Sequence, residues 1–197
     1  MTTLNLQVSA SSDDAREASG GAVSITATVM TMNSGSAWIG WRFLNVTIPQ
    51  AAVINSATFQ PYVDSTASDD PDGDLYANDV DNAATFTTAS NNISSRALTT
   101  AKTNWTATGV GAGFVSAPAV TAVVQEIIDR GSWASGNALA ILYDSLTGSG
   151  FSVRAYDSLS SEAGKLDIDY AGSGQPMGAR GTLVPGMRQW QPRGAGF

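Results

Sequence analysis

Neither cysteine nor histidine occurs in this chain of 197 residues. Their absence removes disulfide cross-links, thiolate nucleophiles, zinc sites of the usual kind, histidine triads and the imidazole base in one step. Charge is scarce as well: Asp, Glu, Lys and Arg together make up 14%, well under the roughly 25% of an ordinary soluble domain. The net charge of -7 argues against nucleic acid as a partner, because affinity there rests on Lys and Arg neutralising phosphates. No run approaches the roughly 20 apolar residues of a membrane span, so no membrane partner is expected. Met1-Thr2-Thr3-Leu4-Asn5-Leu6 offers neither a basic nor an apolar leader region, and synthesis without a secretory signal is the expectation.

What the chain does have is alternation. Leu4, Leu6 and Val8 alternate with polar residues, and Ala22 to Val29 and Ala37 to Phe43 repeat the pattern with β-branched and aromatic side chains. On the second of these, Ile39, Trp41 and Phe43 share the face expected in the core, while Trp38 and Gly40 share the other. Val46-Thr47-Ile48 is expected to end a strand at Pro49, and Val53 to Val63 to form the next. Leu75 and Tyr76 mark a short strand inside an acidic, turn-rich stretch from Asp64 to Asp81. Asn137 to Tyr143, Phe151 to Tyr156 and Lys165 to Tyr170 complete the set. Val120, Val123, Val124, Ile127 and Ile128 fall at helical spacing, predicting one helix of about 12 residues that opens near Pro118 and ends at Gly131. Many strands with turn signals between them point to a sandwich or barrel.

After Tyr170 the composition changes. Residues 171–197 hold seven glycines, three prolines, three of the ten basic residues and none of the 17 acidic ones. So little apolar surface cannot form a core. The stretch is expected to be a docking tail, with Leu183, Val184, Met187, Trp190 and Phe197 as apolar anchors and Arg180, Arg188 and Arg193 pairing with acidic groups of a partner.

Three constellations are candidates for chemistry. Asp69, Asp70, Asp72 and Asp74 crowd hard oxygen ligands around Gly73, the kind of donor set that Ca²⁺ selects; the alternative is a solvated loop whose aspartates cap turns. Glycoside hydrolysis needs paired carboxylates, and the glutamates are only Glu17, Glu126 and Glu162; surface charge is the expectation for them, and no catalytic residue is assigned. Trp38, Trp41, Trp105 and Trp133, with Tyr62, Tyr76, Tyr143 and Tyr156, could furnish aromatic platforms for sugar rings, Trp38 being the tryptophan expected outside the core.

The segment Ile48-Pro49-Gln50-Ala51-Ala52-Val53-Ile54-Asn55-Ser56-Ala57-Thr58-Phe59 resembles the proline-marked strand junction of the DNRLRE-type jelly-roll modules, some of which are classed as carbohydrate-binding. Val123 to Ile128, Trp133 to Leu139, Phe151 to Tyr156 and Lys165 to Tyr170 resemble that family's later landmarks in the same order. The resemblance implies an all-β jelly-roll β-sandwich with one short α-helix and extended terminal arms: an N-terminal arm over 1–21, the sandwich over 22–170 and the tail over 171–197. It also implies an adhesive or structural module, and a free-standing copy with an added tail resembles those of phage particles. The expectation is a non-enzymatic virion protein, a capsid decoration or cement protein binding the major capsid protein or other virion proteins, with a homo-oligomer, by analogy a trimer, as its state. The alternative is a glycan-binding module of a tail fibre or surface adhesin.

Overall fold

Among the described residues there are thirteen strands, most of them on β-branched or aromatic residues at period 2, and one α-helix on the 3.6-residue apolar pattern. In the computed structural model, which describes residues 1–32, 37–64, 71–106, 108–146 and 151–172, the strands are β1 (Thr2–Gln7), β2 (Asp14–Glu17), β3 (Val23–Ser24), β4 (Val29–Met32), β5 (Trp38–Phe43), β6 (Val53–Gln60) and β7 (Tyr62–Val63). They continue as β8 (Asp72–Ala77), β9 (Thr103–Thr106), β10 (Gly113–Phe114), β11 (Leu139–Ser145), β12 (Phe151–Arg154) and β13 (Lys165–Ala171), with α1 (Thr121–Ile128) between β10 and β11.

All pairings are antiparallel. One sheet has six strands in the order β3-β2-β5-β11-β8-β9. A three-stranded sheet, β1-β13-β6, and a four-stranded sheet, β10-β7-β12-β4, form the facing layer and meet where β6 passes through Pro61 into β7. Most successive strands cross from one layer to the other, and the whole is the all-β sandwich expected from the sequence. Between them lies the main core, where Trp41 and Phe43 of β5 meet Phe59 of β6, with ring centroids 4.6 and 6.4 Å apart. Ile39, Leu75, Ile141, Val153, Leu166 and Ile168 pack in the same cluster.

Four expectations need correction. The N-terminal residues are not a separate arm: β1 pairs with β13 from Thr2↔Tyr170 to Gln7↔Lys165, and β2 pairs with β5. Leu4 and Leu6 pack against the core and Val8 is buried in it, so this segment's alternation closes an otherwise open sheet edge. At the other end, β13 runs through Ala171, one residue into the stretch assigned to the tail. The helix is also shorter than its apolar pattern. The N–H groups of Ala117 and Val120 donate to the carbonyls of Phe59 and Ala57, so the chain follows β6 before it coils. Thr121 Oγ1 then accepts the N–H of Ala57, and Pro118 stands before the helix and not in its first turn.

Val46-Thr47-Ile48 is not strand but a packed connection. Asn45 and Ala51 adopt left-handed backbone at φ 54° and 56°, which breaks strand geometry on both sides. Both Val46 and Ile48 are buried, and the Ile48 carbonyl accepts the Trp133 indole N–H at 2.9 Å.

A second, smaller core lies on the outer face of the six-stranded sheet, where residues 79–98 wrap over it. Phe86 and Ile93 from this segment pack on Ala15, Ala140 and Leu142. The buried Glu17 carboxylate anchors the wrap by accepting the N–H groups of Ile93 and Ser94 at 2.8 and 3.0 Å. Arg96 lays its guanidinium over the Phe86 ring at 4.3 Å and donates to the carbonyls of Ala84, Thr85 and Asn92.

Candidate ligand-binding face

The wrap covers only part of the outer face. Beyond it β5, β11, β8 and β9 run side by side with Trp38 opposite Asp144, Asp144 opposite Asp74, and Asp74 opposite Asn104. Because side chains alternate, these four residues and Tyr76 point to one side of the sheet, away from the main core. Trp38 and Tyr76 are half-buried, with centroids 6.5 Å apart and ring planes inclined by 33°. Lys102, just before β9, brings its ammonium to 2.7 Å from Asp74 Oδ2 and 5.9 Å from the Tyr76 ring. Asn104 Nδ2 donates to Asp74 Oδ1 at 3.1 Å, and the Tyr76 hydroxyl stands 3.5 Å from Asp74 Oδ2.

The electrostatics follow from that geometry. Burial alone would raise the Asp74 carboxyl, but the hydrogen bonds from Lys102 and Asn104 outweigh it and hold the group below the ordinary carboxylate range. Asp144 goes the other way: burial first, then the Asp74 charge, raise its carboxyl. The Asp74 hydrogen bond holds the Lys102 ammonium above its ordinary value, and burial, then Asp74, raise the Tyr76 phenol. Two aromatic faces therefore sit beside an ionised, fully engaged carboxylate, a second carboxyl of raised affinity for protons, and an exposed amide.

The other residues singled out from sequence scatter. Trp41, Trp105, Trp133 and Tyr143 are buried core residues. Tyr62 lies on the outside of the opposite layer, its ring perpendicular to that of Phe114. Among the described residues the acidic stretch divides between separate partners. Asp64 lies 4.0 Å from Arg154, Asp74 pairs with Lys102, and Asp79 and Asp81 share Arg130. Of the calcium candidates, Asp69 and Asp70 lie outside the described residues. Asp74 does not fit a cation, since its carboxylate already holds an ammonium and an amide. Among the described residues no three carboxylates converge as a metal site.

The glutamates are structural ties. Glu126 accepts the N–H groups of Thr100 and Ala101 at 2.8 and 2.7 Å, Glu17 holds the wrap, and Glu162 pairs with Arg154. The anchors assigned to the tail, Arg180, Leu183, Val184, Met187, Arg188, Trp190, Arg193 and Phe197, lie outside the described residues. Lys102, Asn104 and Asp144 escaped sequence reasoning because strand register alone brings them to Trp38 and Tyr76. No protein-family model matches the chain, and no curated protein matches it.

Proposed function

We propose that this chain is a non-catalytic binding module that recognises glycans through the outer face of its six-stranded sheet at Trp38 and Tyr76. The observation that carries the reading is the placing of two partly exposed rings beside Asp74, Asp144, Lys102 and Asn104 on rigid strands. Flat apolar rings suit the C–H faces of a sugar, while a carboxylate, an ammonium and an amide suit its hydroxyls. The same geometry supports a role in binding over catalysis. Asp74 is tied to Lys102 as an ion pair, and among the described residues no activated nucleophile accompanies the raised carboxyl of Asp144. A glycan array probed with the full chain is expected to give a defined set of ligands. Trp38→Ala with Tyr76→Ala should weaken binding to them by tenfold or more, about 1.4 kcal/mol or above. Undiminished binding by a folded double variant would sink the assignment.

A second reading, a capsid decoration protein, is favoured by charge segregation: a tail with three arginines and no acid follows an acidic body. In this reading the tail grips neighbouring capsid subunits, the chain assembles as a homo-oligomer, and its location is the virion. Since β13 ends at Ala171, deleting residues 173–197 should leave the sandwich folded and abolish incorporation into particles. Retained incorporation would exclude the tail as the attachment.

A further inference from the structure

We infer that the cleft on the outer face of the three-stranded sheet is a separate binding site for a short, uncharged oligosaccharide. It stands on its own geometry and does not depend on the Trp38 and Tyr76 reading. The register of β1, β13 and β6 sets Gln7, Lys165 and Gln60 in one row, Asn5, Asp167 and Thr58 in the next, and Thr3, Asp169 and Ser56 in the third. The intervening rows, such as Leu6, Leu166 and Phe59, turn towards the core. Asn5, Gln7, Gln60, Lys165 and Asp167, with Leu6, line a shallow cleft of about 430 Å³. Three strands side by side span about 10 Å, room for a short oligosaccharide.

What distinguishes this cleft from an ordinary solvated sheet face is that its long side chains are already held. Gln60 Nε2 donates to Asp167 Oδ2 at 2.9 Å, and Gln7 Nε2 donates to the carbonyls of Ser161 and Ala163 at 3.1 and 3.0 Å. The Lys165 ammonium rests 3.7 Å from the centre of the Phe114 ring and, among the described residues, makes no ion pair. Ordering such side chains normally opposes binding by about 0.5–1.5 kcal/mol each; here most of that loss is taken on folding. The capacity left over is mixed: the carbonyl of Gln7, one N–H and the carbonyl of Gln60, the Asn5 amide, the second oxygen of Asp167 and the protons of Lys165. A hydroxyl is both donor and acceptor, so a run of hydroxyls matches such an alternating set. Lys165 and Asp167 cancel and Asp169 in the third row adds a negative charge, which favours an uncharged ligand over a uronate. Phe114, beside Lys165 and still 36% exposed, adds an apolar ring at the rim.

The test is a titration of the isotope-labelled full chain with cellohexaose, xylohexaose, mannohexaose and laminarihexaose, with hexagalacturonate as the acidic arm, followed through amide signals. At least one neutral hexasaccharide should move the side-chain amide resonances of Asn5 and Gln60 at millimolar concentration. Gln60→Ala with Lys165→Ala should weaken that binding at least tenfold, and Asn5→Ala, at an exposed strand position, provides a variant with little risk to folding. Trp38→Ala should leave these shifts in place, which separates this site from the one on the opposite layer. Movement by hexagalacturonate alone, loss of the shifts in Trp38→Ala, or silence towards all five sugars would each overturn the inference.

Discussion

At the scale of single residues, the least comfortable group is Asp14. It is 1% exposed on β2, and its Oδ2 accepts the N–H of Tyr156 at 2.8 Å. Burial pushes its carboxyl up to about 7; the Tyr156 N–H pulls against that, and the charges of Asp157 and Asp13 add to the rise. The folded chain therefore keeps a proton that the unfolded chain releases near pH 4. Stability from this group is fully present below about pH 4 and falls as pH rises to about 7, by at most ~1.4 kcal/mol per unit. Asp74, with its depressed carboxyl, works in the opposite sense and loses stability as pH falls. Subtracting one denaturation series from another isolates Asp14. Asp14→Asn, a standing mimic of the neutral acid, should gain on the native chain steadily between about pH 4 and about pH 7. A stability difference that does not change with pH would show that Asp14 is ionised throughout.

At the scale of elements, β5 shows how a strand is buried on both faces. Ile39, Trp41 and Phe43 enter the main core as their alternation requires, and that half was readable from sequence. The other half was not, because Gly40 owes its cover to residues 79–98, which lack any periodic signal. Gly40 is where the two meet: a Cβ there would lie 2.3 Å from Cζ of Phe86. Gly40→Ala should thus lift the Phe86 ring and loosen the wrap, destabilising the chain by about 1–3 kcal/mol in urea denaturation. Adding Phe86→Ala should then lose less than the sum of the two single changes, since the clash disappears with the ring. Additive losses would mean that Gly40 and Phe86 do not share the site. The candidate face was legible to the same degree: Trp38, Tyr76 and Asp74 stand out locally, whereas Lys102, Asn104 and Asp144 join them through pairings between distant strands. The helix ran short for a related reason, its first expected turn being claimed by hydrogen bonds to β6.

At the scale of the molecule, the termini separate into one segment that the fold uses and one that composition sets apart. Both read as extensions of a sandwich, since neither carries a long apolar run. What distinguishes them is alternation, present in Leu4, Leu6 and Val8 and missing after Ala171. Six residues of β1 close the edge of β13, and Leu4 and Leu6 cover Leu166 and Ile168. Removing residues 1–8 strips one buried valine and two partly buried leucines and opens a strand edge, a loss of about 3 kcal/mol at roughly 1.5–3 kcal/mol per fully buried aliphatic side chain and less for the leucines. The truncated chain should melt well below the native one, or aggregate through the exposed β13, whereas the chain lacking 173–197 should melt with the native. Comparing the two truncations by calorimetry weighs the ends against each other. Equal melting of the native chain and the chain without residues 1–8 would mean that β1 adds nothing to the sandwich, and the register from Thr2 to Gln7 would then need another explanation.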